Sequence, residues 1–463
     1  MASSTSAKSI VADLGAISAA DLKRYQKAFD ASPRNRLSMN AVTASPLAKV
    51  ALNRDTVSRL DRSFSVHLPE NKATAQMSSG RCWLFAALNT FRVRAIETMN
   101  LGDDFELSQA YVCFWDKLEK ANYFLENILA TAHEPVGSRI LDHLLQSPIQ
   151  DGGQWHMFLN LVQKYGVVPK SAMPETDSSS NTGAMNNQVT ARLRAFAKTL
   201  REASATSNGK SGSEKARKLK DEMVSEIYRM LAIHLGEPPR EFDWQWRDKD
   251  RNFHRAGKLT PNAFYDKYVG LNLDDLVCLI HDPRPIHKYD EVYTVQMLGN
   301  VVGGTPILYL NVDLPTMKEA AIAQLQAGDP VWFGCDVGKF LDRDMGVMDT
   351  ALFDYDLVYG RDGTGDLDKA GRLMYGQSLM THAMVFTGVN LDEKGQPTKW
   401  RVENSWSDKP GDKGFFQMSD PWFDEYNYEV VVHKSHVAKK SLEALKRKPV
   451  ELPPWDPMGS LAV

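Results

Sequence analysis

The stretch Gln76-Met77-Ser78-Ser79-Gly80-Arg81-Cys82-Trp83-Leu84-Phe85 decides how this chain is read. A glutamine stands six residues before a cysteine, and a glycine lies in the approach. An apolar run with helical spacing (Leu84, Phe85, Leu88, Phe91) follows to about Met99. This is the setting a cysteine nucleophile requires. A thiol in the first turn of a helix feels the positive end of the dipole, which favours the attacking thiolate. In this reading the Gln76 side-chain amide and the Cys82 backbone N–H form an oxyanion hole. The competing reading is a structural cysteine opening a core helix, because free cysteine is among the most buried residue types.

The C-terminal half supplies the partners. Thr381-His382-Ala383-Met384-Val385-Phe386-Thr387-Gly388-Val389 reads as a strand with a histidine near its start, followed by Lys399-Trp400-Arg401-Val402-Glu403-Asn404-Ser405-Trp406. A neutral His382 takes the thiol proton and later protonates a leaving amine. Asn404 on its other ring nitrogen fixes the tautomer without adding a charge. Trp406 shields that hydrogen bond from water. Each part alone has an ordinary structural meaning; their order, with Gln76 ahead of Cys82, points to acyl transfer through a thioester.

These three segments resemble the papain-like cysteine peptidases. Gly80-Arg81-Cys82-Trp83 resembles the bleomycin hydrolase branch more closely than the secreted members, and Ser79 stands where those carry a disulfide cysteine. Gly152-Gly153-Gln154-Trp155, Tyr165-Gly166-Val167-Val168-Pro169-Lys170 and Trp455-Asp456-Pro457-Met458-Gly459 fit the same branch. The resemblance runs from about Leu60 to the last residue. It implies a papain-like two-lobe α+β fold and a cysteine aminopeptidase acting on peptides with a free N-terminus. It also implies hydrolysis of the bleomycin amide and of homocysteine thiolactone, and assembly into a homohexamer. Catalysis falls to Cys82, His382 and Asn404, with Gln76 in the oxyanion hole. Trp83, Trp406, Ala462 and Val463 are the substrate-binding candidates.

Composition agrees with a soluble enzyme: 43% hydrophobic and 24% charged residues over 463 positions, enough for two or three lobes. The four cysteines, Cys82, Cys113, Cys278 and Cys335, form no CxxC pair. They suggest neither a zinc site nor a disulfide framework, and the last three read as core residues. No metal and no cofactor is expected, since the eleven histidines show no HExxH spacing. His281 and His287, beside Asp282 and Asp290, read as a polar loop. The Ser-rich residues 1–10 lack a signal-peptide core, and no apolar run is long enough to span a bilayer. The expected location is the cytoplasm, with a weaker mitochondrial alternative.

Along the chain, residues 1–59 read as an extension with an amphipathic helix over 19–29, Asp21 being its N-cap. Residues 60–174 read as the helical lobe carrying the nucleophile, with helices at about 108–130, 135–147 and 153–165. Cys82 and His382 lie 300 positions apart (382 − 82), against about 130–150 in the compact papain-like pattern. The excess is assigned to a helical insertion over 175–300, which by resemblance is an oligomerisation element. It opens with an exposed loop over 175–187 and has helices at 188–203 and 214–235 around a polar turn. Residues 301–448 read as the β-rich lobe, with strands at 306–312, 330–336, 382–390, 398–403 and 428–433.

Residues 449–463 follow a basic helix (Lys439–Lys448), and their proline density imposes an extended path. By resemblance this arm lies in the enzyme's own cleft, where its terminal carboxylate faces the substrate's α-ammonium. Two other readings stay open. A Cys–His acyltransferase would use an acid as third member, and Glu403 precedes Asn404. A nucleic-acid-binding assembly with peptidase side activity would use the basic runs at Lys215–Lys220 and Lys439–Lys448 for single strands. The net charge of −3 supplies no general basic footprint for that.

Overall fold

The computed structural model describes residues 15–205, 210–363 and 366–460, apart from the side chains of 210–213. The Ser-rich first ten residues, positions 206–209 of the polar turn, and the candidates Ala462 and Val463 lie outside the described residues. Two compact units result: one takes Met1–Leu60 with Ala351–Asp366, the other Asp61–Thr350 with Leu367–Val463. The expected extension over 1–59 therefore shares its unit with a later segment, which sequence proximity does not reveal.

In the smaller unit, α1 (Ala19–Asp30), α2 (Pro33–Ala44), α3 (Leu47–Ala51) and α4 (Arg54–Ser58) follow one another. The N-cap of α1 is Ser18, not Asp21: Ser18 Oγ accepts the Asp21 N–H at 3.1 Å, and Asp21 returns the bond from position N3. Asn53 N–H donates to Leu352 O and Asp354 N–H to Ala51 O, tying the later segment in.

The larger unit opens with β1 (Val66–His67), then α5 (Cys82–Met99), α6 (Gln109–Ala130), α7 (Arg139–Gln146) and α8 (Trp155–Tyr165). Residues 82–89 of α5 are all buried, so this helix runs through the core rather than along its surface. Asn100 ends it in the left-handed conformation (φ 52°) that asparagine tolerates. Ser108 Oγ caps α6 by accepting the Tyr111 N–H at 3.0 Å.

The insertion differs from its expected form. Residues 175–187 do not make an exposed loop: α9 (Asp177–Ser180) and the start of α10 (Gly183–Ala205) occupy them, with Ser179, Thr182 and Met185 buried. After α11 (Lys210–Leu235) the helical pattern stops. A hairpin of β2 (Phe242–Arg247) and β3 (Phe253–Leu259) follows, then α12 (Pro261–Tyr268). The next strands, β4 (Leu276–Ile280) and β5 (Glu291–Val295), belong to the main sheet, so that lobe begins well before residue 301.

The sheet continues with β6 (Tyr309–Asn311), β7 (Val331–Cys335), β8 (Leu341–Asp342), β9 (Val347–Met348), β10 (His382–Leu391), β11 (Pro397–Glu403), β12 (Phe415–Ser419), β13 (Asn427–His433) and β14 (Val450–Leu452). Its order is β14-β5-β6-β4-β13-β7-β10-β11-β12-β9-β8, with β1 also on β10. β10 pairs antiparallel with β7 (His382 opposite Cys335) and with β11 (Val385 opposite Glu403). Gly388 is required where β1 crosses, because a Cβ there would lie 2.6 Å from Val66 O. The basic segment after β13 forms only a short helical turn over Lys439–Leu442 and a tighter one over Glu443–Lys446. The β14 end of the expected arm is a parallel edge strand on β5.

One buried ion pair ties α5 to β11. Arg92 donates to Glu403 Oε1, which also accepts Asn89 Nδ2 at 2.9 Å; both charged residues are buried. Burial pushes the Glu403 carboxyl up, and Arg92 opposes that. Removing one partner leaves the other charged and buried, at a cost of about 3–5 kcal/mol. Arg92→Met is therefore expected to lower unfolding free energy by about 3 kcal/mol in urea titration. A loss below about 1 kcal/mol would show that the pair does not hold the two halves.

Candidate active site

Four segments far apart in sequence meet around Cys82. The first is the turn leading to α5. Met77 takes a left-handed backbone (φ 55°), which reverses the chain after Gln76. Gln76 N–H donates to Ser405 O at 2.8 Å, and Ser405 Oγ donates to Gln76 Oε1 at 2.6 Å. Gln76 Nε2 donates to Ser79 O at 2.6 Å. One side chain thus links the turn to itself and to the segment that carries Asn404.

Cys82 is the first residue of α5 and is wholly buried. Burial pushes its thiol up to about 12. The backbone N–H groups of Ala383, Trp83 and Cys82 oppose that rise, while the Asp151 charge adds to it. The Ala383 N–H follows directly after His382, so the start of β10 lies at the thiol.

His382 is also buried, and desolvation lowers its imidazole to about 4. Its Nε2 lies 3.0 Å from Asn404 Oδ1, which also accepts the Ser405 N–H at 2.8 Å. An amide oxygen only accepts, so Nε2 carries the proton and Nδ1 is the free base in the neutral ring. Trp406 packs on the imidazole with ring centroids 5.0 Å apart, and the Arg343 guanidinium covers its ring at 4.6 Å. Glu403 points to Arg92 and Asn89, so the group on the imidazole is the asparagine.

The third segment is the loop before α8. Trp83 Nε1 donates to Asp151 O at 2.7 Å, and Gly153 lies flat on the indole, where a Cβ would come within 2.4 Å. Trp83 is fully buried, so its ring supports this loop rather than offering a surface to substrate. The fourth segment is the end of the chain. Trp455 is gripped by Arg139 at 3.9 Å and His143 edge-on. Asp456 pairs with buried Arg284 (2.7 Å), itself held by Asp282, which also takes His287 at 2.5 Å. Ser460 O accepts Gln154 Nε2 at 2.6 Å, and Ser460 Oγ donates to Met380 O at 2.7 Å. The arm thus arrives two residues short of His382 in sequence. The polar loop of Asp282 and His287 is its anchor, a role its sequence alone does not disclose.

The remaining cysteines are buried free thiols, with Cys278 Sγ against Glu429 Oε1 at 2.7 Å. Among the described residues no cluster of three metal-ligating side chains occurs, and no helix is long and apolar enough to cross a membrane. Arg217 and Lys220 of one basic run both reach Glu126. Lys440, Lys446, Arg447 and Lys448 of the other face Asp290, Glu443, Glu291 and Glu451.

The model of the Peptidase C1-like family matches residues 16–459. The chain belongs to that family. It is 48% identical to an aminopeptidase C of Streptococcus thermophilus, over 94% of this chain and 96% of that protein. It is 43% identical to the bleomycin hydrolase of Homo sapiens, again over 94% and 96%. A crystal structure of pepw from Lactobacillus rhamnosis superposes with a TM-score of 0.94 at 46% identity, over 97% of this chain and all of that one. The fold is papain-like, α+β, and the protein is a cysteine peptidase.

Burial leaves a pH signature. His156 is buried with Nδ1 unpartnered and is lowered by desolvation to about 4, like His382. Between pH 4 and 6.5 the unfolded chain binds protons that these folded histidines do not, so each costs stability as pH falls through that window. Glu429, raised to about 8 by burial, works in the opposite direction between its ordinary carboxyl range and pH 8. The single variant isolates one contribution. His156→Gln should reduce the pH slope of unfolding free energy between pH 4 and 6.5 by about 1.4 kcal/mol per unit. An unchanged slope would show that His156 protonates freely in the folded state.

Proposed function

We propose that this cysteine aminopeptidase uses Cys82 as nucleophile, His382 as general acid and base, and Asn404 to orient the imidazole. The observation carrying the assignment is the His382 Nε2–Asn404 Oδ1 bond at the start of β10, where the next residue, Ala383, shares a buried cluster with Cys82. With Nε2 committed to Asn404, His382 Nδ1 takes the thiol proton as sulfur attacks the first peptide carbonyl. The Cys82 N–H and the second amide proton of Gln76 receive the oxyanion. His382 then protonates the leaving amine, and the thioester is hydrolysed by water that His382 deprotonates.

The arm supplies the exopeptidase restriction. Ser460 is fixed between Gln154 and Met380, so the arm is held as far as Ser460 beside the segment that carries His382. A carboxylate there attracts a substrate α-ammonium and leaves no path for residues before it. The names of two relatives support the same activity: one is an aminopeptidase, the other a hydrolase of the bleomycin type. Self-association, expected as a homohexamer, has support in Leu22, Tyr25 and Phe29, exposed on α1. Four unpaired thiols suit the cytoplasm.

The test is hydrolysis of a fluorogenic aminoacyl amide, free and N-acetylated. The parent should cleave only the free amine, and Cys82→Ala should lose at least about 10⁴-fold in kcat/KM. Removal of the last four residues should create activity on the acetylated substrate. Asp456→Asn, which weakens the Arg284 anchor, should do so to a smaller extent. Retained activity in Cys82→Ala would end the mechanism. A truncated enzyme still blind to the acetylated substrate would end the role of the arm.

A further inference from the structure

Asp151 is 8% exposed and belongs to neither the Cys–His–Asn set nor the oxyanion hole, yet four parts of the molecule converge on it. Its Oδ2 accepts the Gly80 backbone N–H at 2.9 Å and Thr182 Oγ1 at 2.5 Å. Its Oδ1 accepts Lys117 Nζ at 2.6 Å and Asn186 Nδ2 at 2.8 Å. Its backbone carbonyl takes the Trp83 indole N–H at 2.7 Å. Gly80 and Trp83 flank Cys82 at positions −2 and +1, so one residue holds the nucleophile's turn from both sides.

The loop around Asp151 is itself bolted down. Lys120 Nζ donates to Gln150 O at 3.0 Å and Gly152 O at 2.6 Å, and pairs with Asp116 at 2.7 Å. Three successive carbonyls are therefore fixed before Gln154 reaches the arm. Burial alone would raise the Asp151 carboxyl, but Lys117 and its hydrogen bonds outweigh this and hold it far below the usual range. It stays an anion at every working pH, and its hydrogen bonds are of the stronger, charge-assisted kind. Lys117, wholly buried, is the counter-charge that makes an anion tolerable there.

Resting on the reading of Cys82 as nucleophile, we propose that Asp151 is a positioning residue for the reaction, its Lys117-neutralised carboxylate fixing the Gly80–Trp83 turn against the loop that seats the arm. Glycine at position 80 has wide intrinsic backbone freedom, and the hydrogen bond from its N–H to Asp151 removes part of it. A misplacement of about 1 Å between reacting groups costs about 10²-fold in rate. The same carboxylate, through Thr182 and Asn186, connects the insertion to the reaction centre.

The experiment compares Asp151→Ala, Asp151→Asn and the double variant Asp151→Asn with Lys117→Gln, all full length. Readouts are kcat and KM on the free aminoacyl amide, and the pH profile of Cys82 alkylation by iodoacetamide. Asp151→Ala should lower kcat about 10²-fold with KM within about threefold, and slow alkylation with a shifted midpoint. Asp151→Asn keeps an acceptor for Gly80 but strands the Lys117 charge, so it should also fall. The double variant removes the stranded charge and should regain most of what Asp151→Asn loses. A melting temperature that drops while kcat per alkylatable site and the alkylation profile stay parental means a purely structural role, and overturns the proposal. If Asp151→Ala does not fold, the amide pair decides, and parental kcat in Asp151→Asn overturns the proposal equally. Activity surviving in Cys82→Ala overturns the nucleophile assignment instead.

Discussion

The seating of the first turn of α5 against the first residues of β10 is the contact on which the rest of the molecule depends. It joins positions 300 apart in the chain, so no local propensity specifies it. Cys82, Trp83 and Leu84 share one apolar cluster with Ala383, Val385 and Trp332, and the Trp332 indole donates to Trp83 O at 3.3 Å. Each large side chain buried there contributes about 1.5–3 kcal/mol. That driving force is non-directional. Apolar burial brings helix and strand together without saying which residue of one faces which residue of the other.

Direction comes from buried charge. Arg81 with Glu175, Lys117 with Asp151, Lys120 with Asp116 and Arg92 with Glu403 all lie within or beside the elements that hold Cys82 and Asn404. Buried pairs add little net stability over apolar substitutes, but an arrangement that separates one is penalised by several kcal/mol. Around this site they act as a register device. A helix shifted by one residue would strand Arg92 away from Glu403 and Gly80 away from Asp151. The side chains that keep Cys82 in place are thus largely not His382, Asn404 or Gln76.

This division explains what the sequence disclosed. The segments of Cys82, His382, Asn404 and Gln76 could be singled out because the proposed chemistry demands those residue types at those local spacings, and the structure bonds His382 to Asn404 and Gln76 to Ser405. β6, β7, β10, β11 and β13 were legible because β-branched and aromatic runs are bounded by turn signals, whereas β8, β9 and β12 went unread. Asp151, Arg284 and Lys117 were not, since a lone charged residue reads as solvated until the fold shows what surrounds it. The insertion misled for a related reason. Its Ser, Thr and Asn composition over 175–187 suggested a surface loop, but Thr182 and Ser179 spend their hydroxyls on Asp151 and Glu175 inside the protein. Likewise β4 and β5 were absorbed into a helical block because the excess spacing between Cys82 and His382 was assigned to a single insertion over 175–300.

The same burial that aligns the site also opposes its chemistry. Desolvation raises the thiol to about 12 and lowers the imidazole to about 4, so each group by itself strongly prefers to be neutral. A lone thiolate or a lone imidazolium would be unstable there. The proposed transfer of one proton from sulfur to nitrogen would create both charges together, and their mutual attraction in a water-poor site would offset part of what each loses in hydration. Nearby backbone N–H groups oppose the rise of the thiol, and Asn404 already accepts from the ring, so part of the polar environment that favours the pair is in place beforehand. Asp151 belongs on the other side of the balance, because its charge disfavours the thiolate. Lys117 at 2.6 Å mutes that penalty, and an acid so placed makes sense only if the geometry it imposes on Gly80 is worth more to the reaction than the field it exerts on Cys82.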